Sequence, residues 1–428
     1  MPGAPEHRQA SAPEPLPPTV LAIFQRQAEG ACARFAIIRV LFLKAFAVGF
    51  SRLLRAALCC AAACFSAVVP AQTPPAPVIN AKSWILLDVS SAQVLASLGP
   101  AERVEPASLT KLMTAYLAFS ALKAKTLTLE QAVPVSEKAW KMGGSRMFIE
   151  PKKPVTVAEL LRGMIVQSGN DACIALAELI SGSEEAFAAA MNREAKRLGM
   201  KNTSFRNSTG WPDPEHYTTA ADLGVLAAAI IRDFPDFYSL YSMKQYSYNS
   251  ITQSNRNKLL WVDPNVDGMK TGFTDAAGYC LIASAKRGPR RLLSVVLGTG
   301  SENARATESQ KLLNFGFLNY DGVKLYDKGQ SISSLEVWKG SSREVKAGFD
   351  RELFVTLPKG QADKVKATLL SQKPLLAPIA LGQKIGTMKV TVDGRDIAEV
   401  PVVALEAVEG AGVFGRAYDT MRLWFTKS

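Results

Sequence analysis

The amino-acid sequence predicts an α+β fold: an antiparallel sheet covered by helices, then a small all-β domain and a C-terminal amphipathic helix. Three observations carry that expectation. Strand-length apolar runs at 83–98 and 266–297 bracket a long stretch of helical periodicity, so strands and helices are grouped rather than alternating. After about Tyr320 the texture changes to period two, with hairpin turns such as Asp393-Gly394. From Gly412 onward apolar residues return at three- and four-residue steps. With 428 residues, 48% hydrophobic and 21% charged, the chain can build a sizeable core; a disordered or collagen-like polymer is excluded.

Residues 1–71 read as an N-terminal extension and signal peptide. Arg52 and Arg55 precede an uncharged run over 56–69, and Val69-Pro70-Ala71 puts small residues at the two positions a signal peptidase reads. The run is shorter than the ~20 apolar residues of a membrane span. A Pro-rich linker over 72–77 leads into a first domain, 78–334. It opens with a hairpin of strands at 83–89 and 93–98. Helices follow at 109–123, where Leu112, Ala115, Tyr116 and Phe119 share a face, then at 157–166, 172–180, 184–198 and 219–232. Strands at 266–271, 279–286 and 291–297 come next, the last two joined by Gly288-Pro289, and a helix over 303–317 closes the region. The alternating stretch 335–411 is the small β domain. In the tail, 412–428, Val413, Phe414, Ala417, Tyr418, Met421, Trp424 and Phe425 form one apolar face. A helix of that length and charge is expected to lie in a membrane interface rather than span it; the alternative is a terminal helix packed on the β domain. Gly410 and Gly412 are expected to uncouple it from the β domain.

Composition narrows the chemistry. Only two histidines occur, His7 and His216, so a multi-histidine metal site is excluded and nucleophilic chemistry needs another base. His216, just ahead of the helix at 219–232, is expected to be a structural hydrogen-bonder. The net charge is +12; residues 1–71 hold seven Lys/Arg and three Asp/Glu, which leaves +8 on the remainder. Without a Lys/Arg block that balance argues against nucleic acid and suits an anionic wall or membrane surface. Beyond the leader only Cys173 and Cys280 remain, enough for one bridge but not a disulfide framework, and both lie in apolar segments that favour buried thiols.

Three short motifs occur in order. Ser108-Leu109-Thr110-Lys111 begins the first long helix, Ser168-Gly169-Asn170 separates two helices, and Lys270-Thr271-Gly272 lies on a strand. The spacing of Ser108 and Lys111 at a helix start puts both side chains on one face, beside free backbone N–H groups that suit an oxyanion. A serine hydroxyl is a poor nucleophile until a base takes its proton, and a lysine serves when burial or a neighbouring cation lowers its pKa. Lys270 is a candidate for that cation, Ser168 for a proton relay, Asn170 for holding a substrate carbonyl or Lys111, and Lys270 with Thr271 for an anionic substrate terminus. Each motif alone is weak. Ser120-Ala121-Leu122-Lys123 repeats the first, and Ser247–Asn249 and Ser301–Asn303 repeat the second. The order, the separations of 60 and 102 residues and the elements carrying each motif are far more specific.

Together the motifs resemble the penicillin-binding protein and serine β-lactamase superfamily. The flanks Pro106-Ala-Ser-Leu-Thr-Lys-Leu-Met113, Gly163-Met-Ile-Val-Gln-Ser-Gly-Asn-Asp-Ala172 and Asp267-Gly-Met-Lys-Thr-Gly-Phe-Thr274 are similar to the low-molecular-mass D-alanyl-D-alanine carboxypeptidases, peptidase family S11. So are Asn207-Ser-Thr-Gly-Trp211 and His216-Tyr-Thr-Thr219. The resemblance runs over about 80–428. It implies a β-lactamase/transpeptidase-like first domain and a serine-type enzyme that removes the terminal D-alanine from peptidoglycan pentapeptides through an acyl-enzyme. β-Lactam antibiotics are then covalent inhibitors, and no cofactor or metal is needed. Ser108 becomes the nucleophile, Lys111 the base and Ser168 the relay, with Asn170, Lys270, Thr271 and Gly272 along the substrate. By the same similarity the N–H groups of Ser108 and Phe273 form the oxyanion hole and Arg256 meets the terminal carboxylate. The expected location is the periplasm, on the outer face of the inner membrane.

Rival readings fare worse. A class A β-lactamase needs Glu-x-x-x-Asn after the second motif, and Glu178, Glu184, Glu185 and Glu194 are followed four places on by Gly182, Ala188, Ala189 and Leu198. A DD-endopeptidase of the same superfamily, which would cut cross-links, is the alternative that the added β domain and tail argue against. A non-catalytic wall-binding scaffold has no need for nucleophile, base, relay and substrate lysine together. Gly143 and Gly144, within Met142–Met147, suggest a hinged loop over the cleft, and Cys173, on the helix leaving the site, is expected to be packed but within reach of a bulky reagent.

Overall fold

The computed structural model describes residues 74–425; the expected leader at 1–71 lies outside them. Five antiparallel strands form the central sheet: β1 (Ser83–Asp88), β2 (Gln93–Leu98), β3 (Val266–Thr274), β4 (Gly278–Arg287) and β5 (Arg290–Thr299). Their order is β2-β1-β5-β4-β3, so the N-terminal hairpin pairs with the end of the domain, Ser83 opposite Leu297. β1 is buried along its whole length because both faces of the sheet are covered. Ile85 and Leu87 point into the larger core with Ile282, Leu293 and Val295. Trp84 and Leu86 point the other way, against Leu312 and Leu313. Those two leucines belong to the closing helix, Glu302–Asn319. It crosses so near the sheet that a Cβ on Gly316 would stand 2.6 Å from Leu292 Cδ1.

The larger core is helical. It holds α1 (Lys111–Lys123), α2 (Glu137–Lys141), α3 (Val157–Val166), α4 (Asn170–Ser181), α5 (Glu184–Leu198) and α6 (Ala220–Asp233). Local chemistry sets the ends. Thr156 and Glu159 make a reciprocal capping box on α3, Ser183 and Thr219 cap α5 and α6, and Gly182 and Gly199 close α4 and α5 in the left-handed region. α1 departs from the single apolar face expected of it. Lys111 through Tyr116, with Ala118 and Phe119, are all buried, because the surrounding core encloses the first two turns. The repeated motifs find structural work: Ser301 caps the closing helix, Asn249 turns a hairpin at φ 49°, and Lys123 donates to the Asp233 carbonyl 3.0 Å away.

Strand Tyr320–Tyr326, ahead of the 335 boundary expected from the sequence, pairs with Leu353–Pro358. Its Val323 and Leu325 pack on a second, separate core that includes Val345, Val355, Ile385, Val390 and Val402. Strand Ser331–Trp338 straddles the same boundary and joins a six-stranded sheet. The two regions are tied together. Gln93 exchanges hydrogen bonds with the Thr356 backbone, and Arg290 donates both to Asp88 and to the Tyr320 carbonyl.

The tail forms a helix over Val413–Phe425. The expectation that glycines free it is not met. Gly410 bridges Gly340, the Ala411 N–H reaches the Lys339 carbonyl, and Asp419 accepts from the Lys339 N–H at 2.6 Å. Arg422 lies over the Trp338 ring. The helix therefore docks through Asp419 and Arg422, with Leu423 part-buried on the groove that Trp338 also lines, and Val413, Phe414, Tyr418, Met421 and Trp424 face solvent. No helix among the described residues is long and apolar enough to cross a membrane.

Candidate active site

Ser108 sits in a single 3-10 turn, Ala107–Thr110, that feeds directly into α1. The turn is shaped by close approach. Ala107 is at φ 47°, and a Cβ on Gly210 would fall 1.7 Å from the Ala107 carbonyl oxygen. A Cβ on Gly272 would press on Pro106 O and Ala107 Cβ, both 3.3 Å away. Only residues without side chains let the 209–211 loop and β3 close on the serine from two sides.

Lys111 Nζ lies 2.9 Å from Ser108 Oγ and donates to the Thr209 carbonyl at 2.6 Å. The lysine is buried. Burial leads in lowering its pKa from 10.5 to about 8, and the nearby Arg256 charge pushes the same way. Lys270, equally buried, is held well below the usual lysine value by burial first, then by Lys111 and Arg256. Arg256 thus joins Lys270, the cation expected from the sequence: the two buried amines repel each other, and Arg256 acts on both. Lys270 Nζ donates to the Thr271 carbonyl at 3.0 Å.

A cavity of about 330 Å³ opens over this centre. Ser108, Ser168, Asn170, Arg256, Thr271, Gly272 and Phe273 all line it, while the two lysines stand buried behind. Ser168 is at φ 69°, and its buried Oγ has no hydrogen-bond partner. Asn170 does not hold Lys111. Its Nδ2 donates to the Gly143 carbonyl at 2.8 Å and its N–H to the Ser145 carbonyl at 2.7 Å. The loop Met142–Met147 accordingly forms one wall of the cleft. It is no free hinge: Asp171 accepts from the Met147 and Phe148 N–H groups at 2.9 and 2.8 Å.

Two other sequence expectations are corrected or sharpened. Cys173 and Cys280 are free thiols, both buried, so the bridge is absent. Cys173 is completely covered, which removes the expected access to a bulky reagent, and burial pushes its thiol up to about 12. His216 takes the structural part expected of it. Nε2 is 3.0 Å from Thr110 Oγ1, Nδ1 accepts from the Arg206 N–H, and burial lowers its pKa to about 4.

Sequence reasoning passed over three residues. Asp171 anchors the wall loop; it lies inside the second motif's flank. Asn207 Oδ1 gathers the N–H groups of Thr209, Gly210 and Trp211, fixing the loop that receives Lys111. Arg305, buried on the closing helix, donates to the Gly272 carbonyl at 3.3 Å and braces β3. Asn207 is visible in the Asn-Ser-Thr-Gly-Trp flank, whereas nothing around Arg305 marks it in the sequence.

Comparison with known proteins agrees with this geometry. Residues 70–301 match the D-alanyl-D-alanine carboxypeptidase family, and 320–410 match the C-terminal domain of penicillin-binding protein 5. D-alanyl-D-alanine carboxypeptidase DacC of Escherichia coli is 42% identical over 362 residues, 83% of this chain and 90% of that protein. The structure of penicillin-binding protein 5 from Haemophilus influenzae superposes with a TM-score of 0.73 at 42% identity, covering 78% of this chain and 99% of that one. Penicillin-binding protein D2 of Listeria monocytogenes in its ampicillin-bound form covers 57% of this chain and all of that one, with a TM-score of 0.53 and 29% identity. Two family matches in the right order, homology along four-fifths of the chain and a buried lysine against an accessible serine lead to one conclusion: the chain belongs to the D-alanyl-D-alanine carboxypeptidases, a family of serine peptidases.

Proposed function

We propose that Ser108 is the nucleophile by which this carboxypeptidase removes the terminal D-alanine from peptidoglycan pentapeptides. The 2.9 Å approach of Lys111 Nζ to Ser108 Oγ carries the reading. The neutral Lys111 amine takes the Ser108 proton as Oγ bonds to the carbonyl carbon of the penultimate residue. The N–H groups of Ser108 and Phe273 hold the oxyanion. Ser168, whose Oγ is otherwise unpartnered, passes a proton to the leaving amine as the C–N bond breaks. Water then cleaves the ester and restores both side chains. Arg256 and Thr271 receive the terminal carboxylate, Lys270 and Gly272 line the substrate strand, and Asn170 fixes the opposite wall. A penicillin presents a strained amide in the same pose and acylates Ser108.

The tail extends the proposal to location. Its solvent-facing stripe of Phe414, Tyr418, Met421 and Trp424 suits the headgroup boundary of a bilayer. With residues 1–71 as an export leader, the enzyme works in the periplasm, held on the outer face of the inner membrane. In this division 78–334 is the catalytic domain, 335–411 the β-rich domain and 412–428 the anchor; the strands at 320–338 pair with the β-rich side.

Ser108→Ala and Ser120→Ala test the nucleophile. Mass spectrometry after incubation with penicillin, and D-alanine release from a pentapeptide, should show both activities lost in the first variant and intact in the second. A covalent adduct on Ser108→Ala refutes the assignment.

A further inference from the structure

A second cavity, of about 610 Å³, lies on the far side of the cleft wall and takes no part in the chemistry above. Its volume falls within the ~300–1,000 Å³ of ordinary ligand pockets. Two exposed aromatic side chains border it: Trp140 on α2, 42% exposed, and Phe148, 39% exposed. Phe148 holds φ 69°, a conformation unfavourable for a bulky residue, which persists only when its surroundings impose it. They do. Asp171 grips the Phe148 N–H, Asn249 Nδ2 donates to the Phe148 carbonyl at 3.1 Å, and the Arg146 guanidinium lies 5.1 Å from the ring centroid. The structure thus spends strain to keep an aromatic ring turned out toward water.

Glu137 and Glu150 line the cavity with Arg146 and Lys152, and both carboxylates are already engaged, by Lys141 at 2.8 Å and Lys153 at 2.9 Å. The lining therefore offers a cationic ligand no unpaired carboxylate, while Arg146 and Lys152 are hydrogen-bond donors. Aromatic faces beside such donors fit a ring that is apolar on its C–H face and carries hydroxyl and amide oxygens at its edge. One clamped segment borders both cavities: Ser145 lines the cleft, Arg146 and Phe148 the second cavity. Three residues of chain cover roughly 10 Å, and the four acyl-side residues of an extended pentapeptide span roughly 13 Å.

We propose that this cavity binds the N-acetylated hexosamine to which the stem peptide is attached, with Trp140 and Phe148 as its stacking surfaces. The proposal rests on the carboxypeptidase reading and adds the sugar to its substrate. The test compares a free pentapeptide with the same peptide carried on an N-acetylhexosamine disaccharide, in wild type, Trp140→Ala and Phe148→Asn, the last chosen because Asn tolerates positive φ. Penicillin acylation serves as the control for an intact fold and centre. The wild type should show a lower KM for the sugar-bearing substrate at similar kcat. Each variant should raise that KM roughly fivefold while leaving the free peptide and acylation unchanged. Intact acylation with equal kinetics on the two substrates, or equal losses on both in the variants, overturns the sugar site and leaves the carboxypeptidase reading standing. Normal acylation without release of D-alanine from either substrate overturns both.

Discussion

If Lys111 is the base, the rate of Ser108 acylation must follow the neutral fraction of one buried amine. With its pKa at about 8 instead of 10.5, roughly a tenth of the enzyme carries neutral Lys111 at pH 7. An unshifted lysine would leave roughly three in ten thousand, so the environment raises the competent fraction about 300-fold. The second-order rate of acylation by penicillin should therefore climb about tenfold per pH unit below pH 7 and level off above pH 9. Arg256 also lowers this pKa, so Arg256→Gln should move the inflection to higher pH, whatever it does to the amplitude. Cys173→Ala should leave the inflection where it is, since a thiol pushed up to about 12 is uncharged throughout this range. Lys111→Arg retains charge but cannot give up a proton, so acylation should collapse, whereas Lys270→Arg should retain part of it. Stopped-flow acylation across pH 6–10 reads all of this. A profile that rises without a break toward pH 10.5, or a Lys111→Arg enzyme that still acylates, refutes the reasoning.

Other outcomes follow from the packing. Gly210→Ala puts a methyl where the Ala107 carbonyl sits and holds it at φ 88°; it should destabilise the fold by about 2–4 kcal/mol in urea titration and slow acylation in whatever remains folded. His216 is held neutral in the folded state, its pKa lowered from 6.5 to about 4, so the unfolded chain binds the extra proton between those values. Stability should fall as pH drops through that window, by up to about 3 kcal/mol, and His216→Gln should flatten the loss in urea melts at pH 7 and pH 4. Deleting 412–428 should release the protein from membrane fractions with activity on a soluble pentapeptide unchanged. A truncated protein that still sediments with membranes, or one that unfolds, would favour a helix whose role is packing against Trp338 and Lys339.

Much of this protein is legible in one dimension because the signals involved are local. The period of two after Tyr320, the caps at Thr219 and Ser301 and the spacing of Ser108 to Lys111 depend on residues within one or two turns of each other. So the elements, the motifs and the family could be read before any coordinates. What the sequence could not supply depends on contacts between distant segments. Nothing near Lys111 says that Thr209 will accept from it, or that Arg256 will help lower its pKa. The pairing of Tyr320–Tyr326 with Leu353–Pro358 is hidden because two other strands, Ser331–Trp338 and Glu344–Gly348, lie between the partners in the chain. The docking of the tail was missed for a related reason: the glycines suggested freedom, but a backbone N–H at Lys339, eighty residues away, had a carboxylate to find in Asp419. Local periodicity is written by adjacent side chains, while electrostatics, close approach and burial are set by whichever segments the fold brings together.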